Sequence, residues 1–316
     1  MAKFAGVVVV NKEKGYTSHD VVAILKRLYK EKAGHYGTLD PNATGVLPVC
    51  LGKATKFADF FLSENKSYIV EVILGVTTDT GDVTGKVSED LSDSRMSSGE
   101  NPLVREKSQR QSFDFSKPEV ENVLETFKGK HLQMPPMYSA IKVSGKKLYE
   151  FARKGVTVVR KPRPIEIFDI KLLELFGNCF TIHVDCSKGT YIRALCTDIG
   201  EKLGVGATMG NLQRIRSGRF SIDGALTIEE IKKSSDVWSL VKPIEELLPY
   251  PAAILKPAAY KSAKNGNLVK LSQLSHIDSA SPKHWLQAEG KTIGLFSLKN
   301  ESLVCEVMLA NLFPGR

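Results

Sequence analysis

Positions 34–56 read G-H-Y-G-T-L-D-P-N-A-T-G-V-L-P-V-C-L-G-K-A-T-K, and the single acid in this stretch is Asp40. Asp-Pro favours a turn, and the glycines around it let the backbone approach a ligand closely. A lone carboxylate on such a loop can serve as a nucleophile, a general base or a turn-former. Other chemistries find little support. Residues 45–53 end in Gly-Lys, but six residues separate the glycines where a phosphate-cradling loop has four. G-V-G-A-T-M-G at 204–210 misses the dinucleotide fingerprint by one residue and follows a helical pattern. The histidines (His19, His35, His131, His183, His276, His284) lack ligand spacing, and there is neither an H-E-x-x-H nor a G-x-S-x-G motif. No metal and no nucleotide cofactor is expected.

The elements that must hold this loop can be read from hydrophobic periodicity. G-V-V-V-V at 6–10 predicts a buried strand, followed by a turn through Gly15. Thr17 and Asp20 match a capping box, with Val21, Val22, Leu25, Leu28 and Tyr29 as the helical stripe behind it. After the loop, 53–62 predicts one helix burying Phe57, Phe60 and Phe61, and 67–75 a strand. Residues 88–112 are rich in Ser, Gly, Pro and charge, and predict a mobile surface insertion. Ser116 is placed to cap another helix. Strands are predicted over 165–176, 179–186 and 208–217, with a helix after K-G-T-Y-I-R at 188–193. Residues 243–251 read as a linker, and beyond 251 short strands and turns predict a small β module.

Charge points to a polyanion. Lys and Arg total 44 against 35 Asp and Glu, a net +9, and the sequence pI is about 9.1. The basic residues concentrate in an arm over 128–163, where Lys130, Lys142, Lys146, Lys147, Arg153 and Lys154 alternate with His131, Met134, Tyr138, Tyr149 and Phe151, and Glu150 is the only acid. Such an arm suits a phosphate backbone with exposed bases; a solvated helix face is the alternative. The five cysteines show no pairing pattern, and no segment reads as a signal peptide or a membrane span, so a cytoplasmic protein without membrane association is expected.

The 34–56 block closely resembles the catalytic motif of the TruB family of tRNA pseudouridine synthases. Further blocks follow in family order: V-V-N-K-E-K-G-Y-T-S-H-D, K-S-Y-I, T-D-T-G-D, M-P-P-M-Y-S-A-I-K-V-S-G-K-K-L-Y-E-F-A-R-K-G, C-S-K-G-T-Y-I-R-A-L-C-T-D-I-G and L-Q-R-I-R-S-G. Asn11-Lys12-Glu13 departs from the usual Asp-Lys-Pro of the opening block. The resemblance implies an α+β fold, with a mixed, largely antiparallel sheet flanked by helices. It implies a catalytic domain over 1–250 with the basic arm inserted, and a PUA-like RNA-binding module over 251–316.

The implied activity is isomerisation of the T-loop uridine at tRNA position 55 by base flipping, without a cofactor. Asp40 would be the essential carboxylate and Arg193 its ion-pair partner. Attack at C6, attack at C1′ and elimination from C2′ remain open routes. Tyr68 would stack on the uracil and is a candidate acceptor of the C5 proton. Tyr191 and Leu212 would line the pocket, and His35 would enter the space left by the flipped nucleotide. Lys12 and Lys56 are candidates for backbone or structural contacts. The T-arm of tRNA is the expected partner, with no obligate protein partner and a monomeric state. An RNA-binding or tRNA-folding protein with incidental catalysis is one alternative, and the same chemistry on another RNA is the second.

Overall fold

A computed structural model describes residues 5–62, 64–90, 113–143 and 145–309. In chain order, β1 (Ala5–Lys12), α1 (Ser18–Tyr29), β2 (Ala33–His35) and β3 (Thr44–Gly52) frame the Asp40 loop. A 3-10 turn, Lys53–Phe57, then leads into α2 (Ala58–Leu62), so the single helix expected over 53–62 is divided. The turn follows Gly52, whose φ of 58° reverses the chain. β4 (Lys66–Leu74) follows, then the pair β5 (Val76–Thr78) and β6 (Val87–Asp90). Of the expected insertion over 88–112, the first three residues complete β6, and 91–112 lie outside the described residues.

α3 (Lys117–Glu125) begins with a Ser116/Glu119 capping box. The arm comprises β7 (Gly129–Gln133), the short hairpin β8 (Lys142–Val143) and β9 (Lys146–Lys147), and α4 (Leu148–Ala152). It closes onto β10 (Arg163–Phe176), which hairpins into β11 (Cys179–Cys186). Next come α5 (Ile192–Lys202), β12 (Ala207–Ser217), β13 (Phe220–Ser221), α6 (Ile228–Lys233), β14 (Lys242–Pro243) and α7 (Ile244–Leu247).

These strands form one ten-stranded sheet in the order β14-β1-β3-β12-β4-β11-β10-β7, with β2 added on β3 and β13 on β12. Among the described strands of this sheet, β3 and β12 pair parallel and the other pairings are antiparallel. One face is covered by helices: Val21 and Leu25 of α1, Val120 and Leu124 of α3, Leu195 and Ile199 of α5, and Ile228 and Ile231 of α6 pack on Val8, Val10, Leu47, Val70, Val72 and Ile182. Strand alternation sends Val7, Val9, Val46 and Cys50 to the opposite face, where they meet Tyr36, Phe57, Phe61, Phe220 and Ile244. The run G-V-V-V-V is therefore buried on both sides.

The second sheet, β16-β20-β19-β18-β15-β17, is built from β15 (Ala252–Leu255), β16 (Val269–Lys270), β17 (Leu274–His276), β18 (Lys283–Ala288), β19 (Lys291–Lys299) and β20 (Ser302–Met308). This β module is of the PUA-like kind. The stretch 243–251 is not a free linker. Ile244, Leu247 and Leu248 are buried in the same cluster as Trp285, Leu295 and Val307 of the module, so apolar packing fixes the connection.

Candidate active site

The loop between β2 and β3 carries Asp40, and the residues on either side of it are tied to the start of the chain. Buried Ser18 uses its Oγ twice on Leu39, donating to the carbonyl at 2.9 Å and accepting from the N–H at 2.9 Å. On the other side, the Pro41 carbonyl accepts from Lys12 Nζ at 3.0 Å and from the Gly15 N–H at 3.0 Å. Lys12 also donates to the Glu13 and Tyr16 carbonyls and is fully buried. Burial pulls its amine down to about 8, with the charge of Asp40 opposing. All three amine protons are used on carbonyls, so Lys12 takes the structural rather than the phosphate-binding alternative.

The carboxylate points at α5. Arg193, the second residue of that helix, places Nε 3.0 Å from Asp40 Oδ2, with side chains 9% and 40% exposed respectively. The cation is therefore buried while the acid reaches solvent. Its other nitrogens donate to the Thr80 carbonyl at 3.0 Å and the Tyr138 carbonyl at 2.8 Å. A second carboxylate, Asp82 Oδ2, stands 3.8 Å from Nε. Asp82 is held by Thr80 Oγ1 at 2.9 Å and the Thr84 N–H at 2.9 Å, in a turn that hangs on β12 through Met209. T-D-T-G-D thus builds a support for the arginine, a role its turn composition did not reveal.

Tyr68 and Leu212 face the helical side of the sheet and belong to its core cluster. Cross-strand pairing sets Tyr68 opposite Arg214. Arg214 is wholly buried, donating to the Val46 carbonyl at 2.8 Å and the Gly37 carbonyl at 2.7 Å. Burial pushes the Tyr68 phenol up to about 12, while the charge of Arg214 and its hydrogen bond to the phenol pull the other way. Sequence reasoning placed Arg214 in a strand without a role. Its burial would have been the only signal, and burial is a property of the assembled sheet. Gly45 lies so close to the Arg214 backbone that a Cβ there would stand 2.2 Å from its carbonyl oxygen.

His35 ends β2, its ring 5.3 Å from that of His19, edge to face. Its Nδ1 is buried without a hydrogen-bond partner among the described residues, and burial, with His19 and Arg214 adding, holds the ring down at about 4. Tyr191 precedes α5, its backbone bonded to Gln133. Beside the loop lies a hollow of about 420 Å³ whose lining includes Asn42, Thr44, Ile69, Glu71 and Leu212; Asp40 is not among its walls.

In the arm, Lys130, Lys142, Lys146, Arg153 and Lys154 are exposed, and Lys147 is half-buried. Lys147 and Arg153 each stand 5.4 Å from the Tyr149 ring centre. Exposed apolar residues accompany them, with Leu132 at 74% and Val159 at 92%. These residues lie on strands, a hairpin, one short helix and the turn and irregular chain that follow it, so the reading of a single solvated helix face does not apply. Lys56 donates to the Met308 carbonyl at 2.9 Å and so bridges to the β module. Asp169, His183 and Asp185 gather within metal-ligand reach of one another. The two carboxylates are met by Lys128, Lys171 and Arg216 at 3.2, 2.8 and 2.8 Å.

Comparison with known proteins assigns the chain to a family. Residues 26–192 fit the family model for the N-terminal domain of TruB family pseudouridylate synthases, and 193–257 the model for the C-terminal domain of tRNA pseudouridylate synthase B. The class is thus that of pseudouridylate synthases. Among curated relatives, tRNA pseudouridine synthase B of Clostridium tetani (strain Massachusetts / E88) is 41% identical over 92% of this chain and 94% of its own. The protein of the same name from Bacillus subtilis (strain 168) is 42% identical over 87% of this chain and 86% of its own. A solved Cbf5-Nop10-Gar1 complex contains a chain that superposes with TM-score 0.65 at 25% identity, covering 96% of this chain and 85% of that one. The chain belongs to the TruB family.

Proposed function

We propose that the protein converts uridine to pseudouridine in tRNA, that its target is the T-loop uridine at position 55, and that Asp40 is the essential carboxylate. The supporting observation is the Asp40–Arg193 pair: a solvent-reaching acid whose charge is secured by a buried guanidinium 3.0 Å away. The reaction breaks N1–C1′, joins C5 to C1′ and leaves the C5 proton on N1. It is an isomerisation, so no net oxidant, reductant or hydrolytic water enters. The protein must supply a persistent negative charge, a route for one proton and a cavity for an everted base.

Asp40 supplies the charge. Tyr68 would take the C5 proton as a phenolate and become the phenol; burial, which pushes its phenol up to about 12, disfavours that phenolate, while the charge and hydrogen bond of Arg214 favour it. Leu212 offers an apolar wall for the base, and Tyr191 lines the approach. His35 would enter the space left where the nucleotide leaves the stack, its buried Nδ1 becoming available to RNA only as the loop opens. Eversion costs a few kcal/mol, which phosphate contacts from Lys130, Lys142, Lys146, Lys147, Arg153 and Lys154 would offset. The family reading also favours the cytoplasm, a monomer and independence from partner proteins.

The test uses an unmodified T-arm stem-loop with no guide RNA or second protein. The wild-type chain should form pseudouridine at position 55. Asp40→Asn should lower the rate by about 10³-fold or more while RNA affinity is retained. Product formation that survives Asp40→Asn removes this residue from the mechanism. A wild type that is inactive on the bare stem-loop, yet active with a guide RNA or partner protein, favours the same chemistry on another RNA.

A further inference from the structure

Gln133 lies one residue before the arm's M-P-P-M-Y-S block, at the end of β7, and is 4% exposed. Its carboxamide engages a single residue from both sides. Nε2 donates to the Tyr191 carbonyl at 3.1 Å, and the Tyr191 N–H donates to Oε1 at 2.8 Å. Tyr191 is the N-cap of α5, and its own side chain makes no capping bond, so this amide from another element fixes the helix entry. Two residues on is Arg193, whose outer nitrogen donates to the Tyr138 carbonyl at 2.8 Å. The root of the arm therefore grips the same helix start twice, once at its backbone and once at the guanidinium facing Asp40.

We propose that Gln133 is a positioning residue for the Asp40–Arg193 pair, setting the start of α5, and with it the guanidinium, in register with the root of the RNA-facing arm. This rests on the reading of Asp40 as the essential carboxylate. A glutamine satisfied at one end by a carbonyl would only fill a polar need. Here donor and acceptor close on the two successive peptide groups of one residue, Tyr191, which removes sliding and rotation of the helix entry together. Misplacement of a catalytic group by about 1 Å can cost on the order of 10²-fold in rate. The segment that would seat on RNA and the segment that aims the cation are then held by one side chain.

The experiment measures single-turnover pseudouridine formation on the T-arm stem-loop at saturating enzyme, with RNA affinity measured separately, in the full-length protein. Gln133→Leu removes both bonds. The isosteric Gln133→Glu keeps the acceptor for the Tyr191 N–H and sets an oxygen against its carbonyl. Both variants should bind RNA within about 3-fold of wild type and reach the full product amplitude. Their rate constants should fall about 10²-fold for Leu and about 10-fold for Glu. In an Arg193→Lys background, Gln133→Leu should add less than about 3-fold, because both changes act on one guanidinium.

A reduced amplitude with an unchanged rate constant would mean that Gln133 serves folding alone and overturns the proposal. So would weakened binding with an unchanged saturated rate, or losses that multiply in the double variant. If wild type forms pseudouridine and both variants match it, this inference alone falls. If wild type forms none, the functional reading falls and takes this one with it.

Discussion

Asp40 is held in place by its neighbours more than by its own bonds: Ser18 fixes Leu39, Lys12 fixes Pro41, and Arg193 meets the carboxylate. Asp40 and Arg193 were legible because the family resemblance carries a role for each. Ser18, Asp82 and Arg214 lie in such blocks too, and Gln133 beside one, but their roles were not legible: their partners are brought near only by folding, and no local pattern marks a buried polar side chain as satisfied. His35 yields a prediction at this scale. Its ring is held down at about 4 against 6.5 for the free side chain, mainly by burial. As pH falls, the unfolded chain takes up this proton first. The stabilisation is therefore fully present above about pH 6.5 and is lost on acidification through about pH 4. At about 1.4 kcal/mol per unit, discounted for partial exposure, the loss is on the order of 2 kcal/mol. Urea unfolding at pH 7 and pH 4.5 should show wild type losing about that much more than His35→Asn; parallel losses would refute the assignment.

At the scale of elements, α1 shows which part of a helix start the sequence can announce. T-S-H-D predicts the capping box, and Thr17 and Asp20 form it, with the Asp20 N–H donating to Thr17 Oγ1 at 3.0 Å. Ser18, one position on, looks like an ordinary first-turn residue, yet its hydroxyl reaches across 21 positions to Leu39. The two serve different ends. Thr17→Ala should cost about 1 kcal/mol of stability and leave the reaction rate at wild type within about 2-fold. Ser18→Ala strands the N–H and the carbonyl of Leu39; it should cost about 2 kcal/mol and slow single-turnover catalysis by about 10-fold. Equal rates for the two variants would show that the loop does not need this tie. The same contrast explains the divided helix over 53–62. The spacing of Phe57 and Phe61 was readable, whereas the turn that aims Lys53 and Lys56 at the carbonyls of Leu309 and Met308 answers to a partner some 250 positions away.

Across the whole molecule, the β module was visible as a change of character near residue 251, but its attachment was not. Two buried apolar faces meet there. Val7, Val9 and Val46 from the first sheet and Phe57 from the turn after β3 share one cluster with Trp285, Leu295 and Val307 from the second sheet and with Leu309 just beyond it, and Ile244 and Leu247 belong to it too. Trp285 is the centre of this contact. Its Nε1 donates to the Leu248 carbonyl at 2.8 Å, and its ring lies 5.6 Å from that of Phe57. A segment read as a linker from its prolines is thus part of a common core, because apolar side chains at 244, 247 and 248 find partners on both sides. Sheet and module should unfold together. Trp285→Ala should cost about 3–5 kcal/mol and lower the single thermal transition of the whole chain. If the module were a tethered bead, calorimetry would instead resolve two transitions, and Trp285→Ala would move only one of them. A shared transition also means that damage near residue 285 reaches the catalytic loop, since β1 and β3, which present the helix-facing site on one side, rest on this cluster with the other.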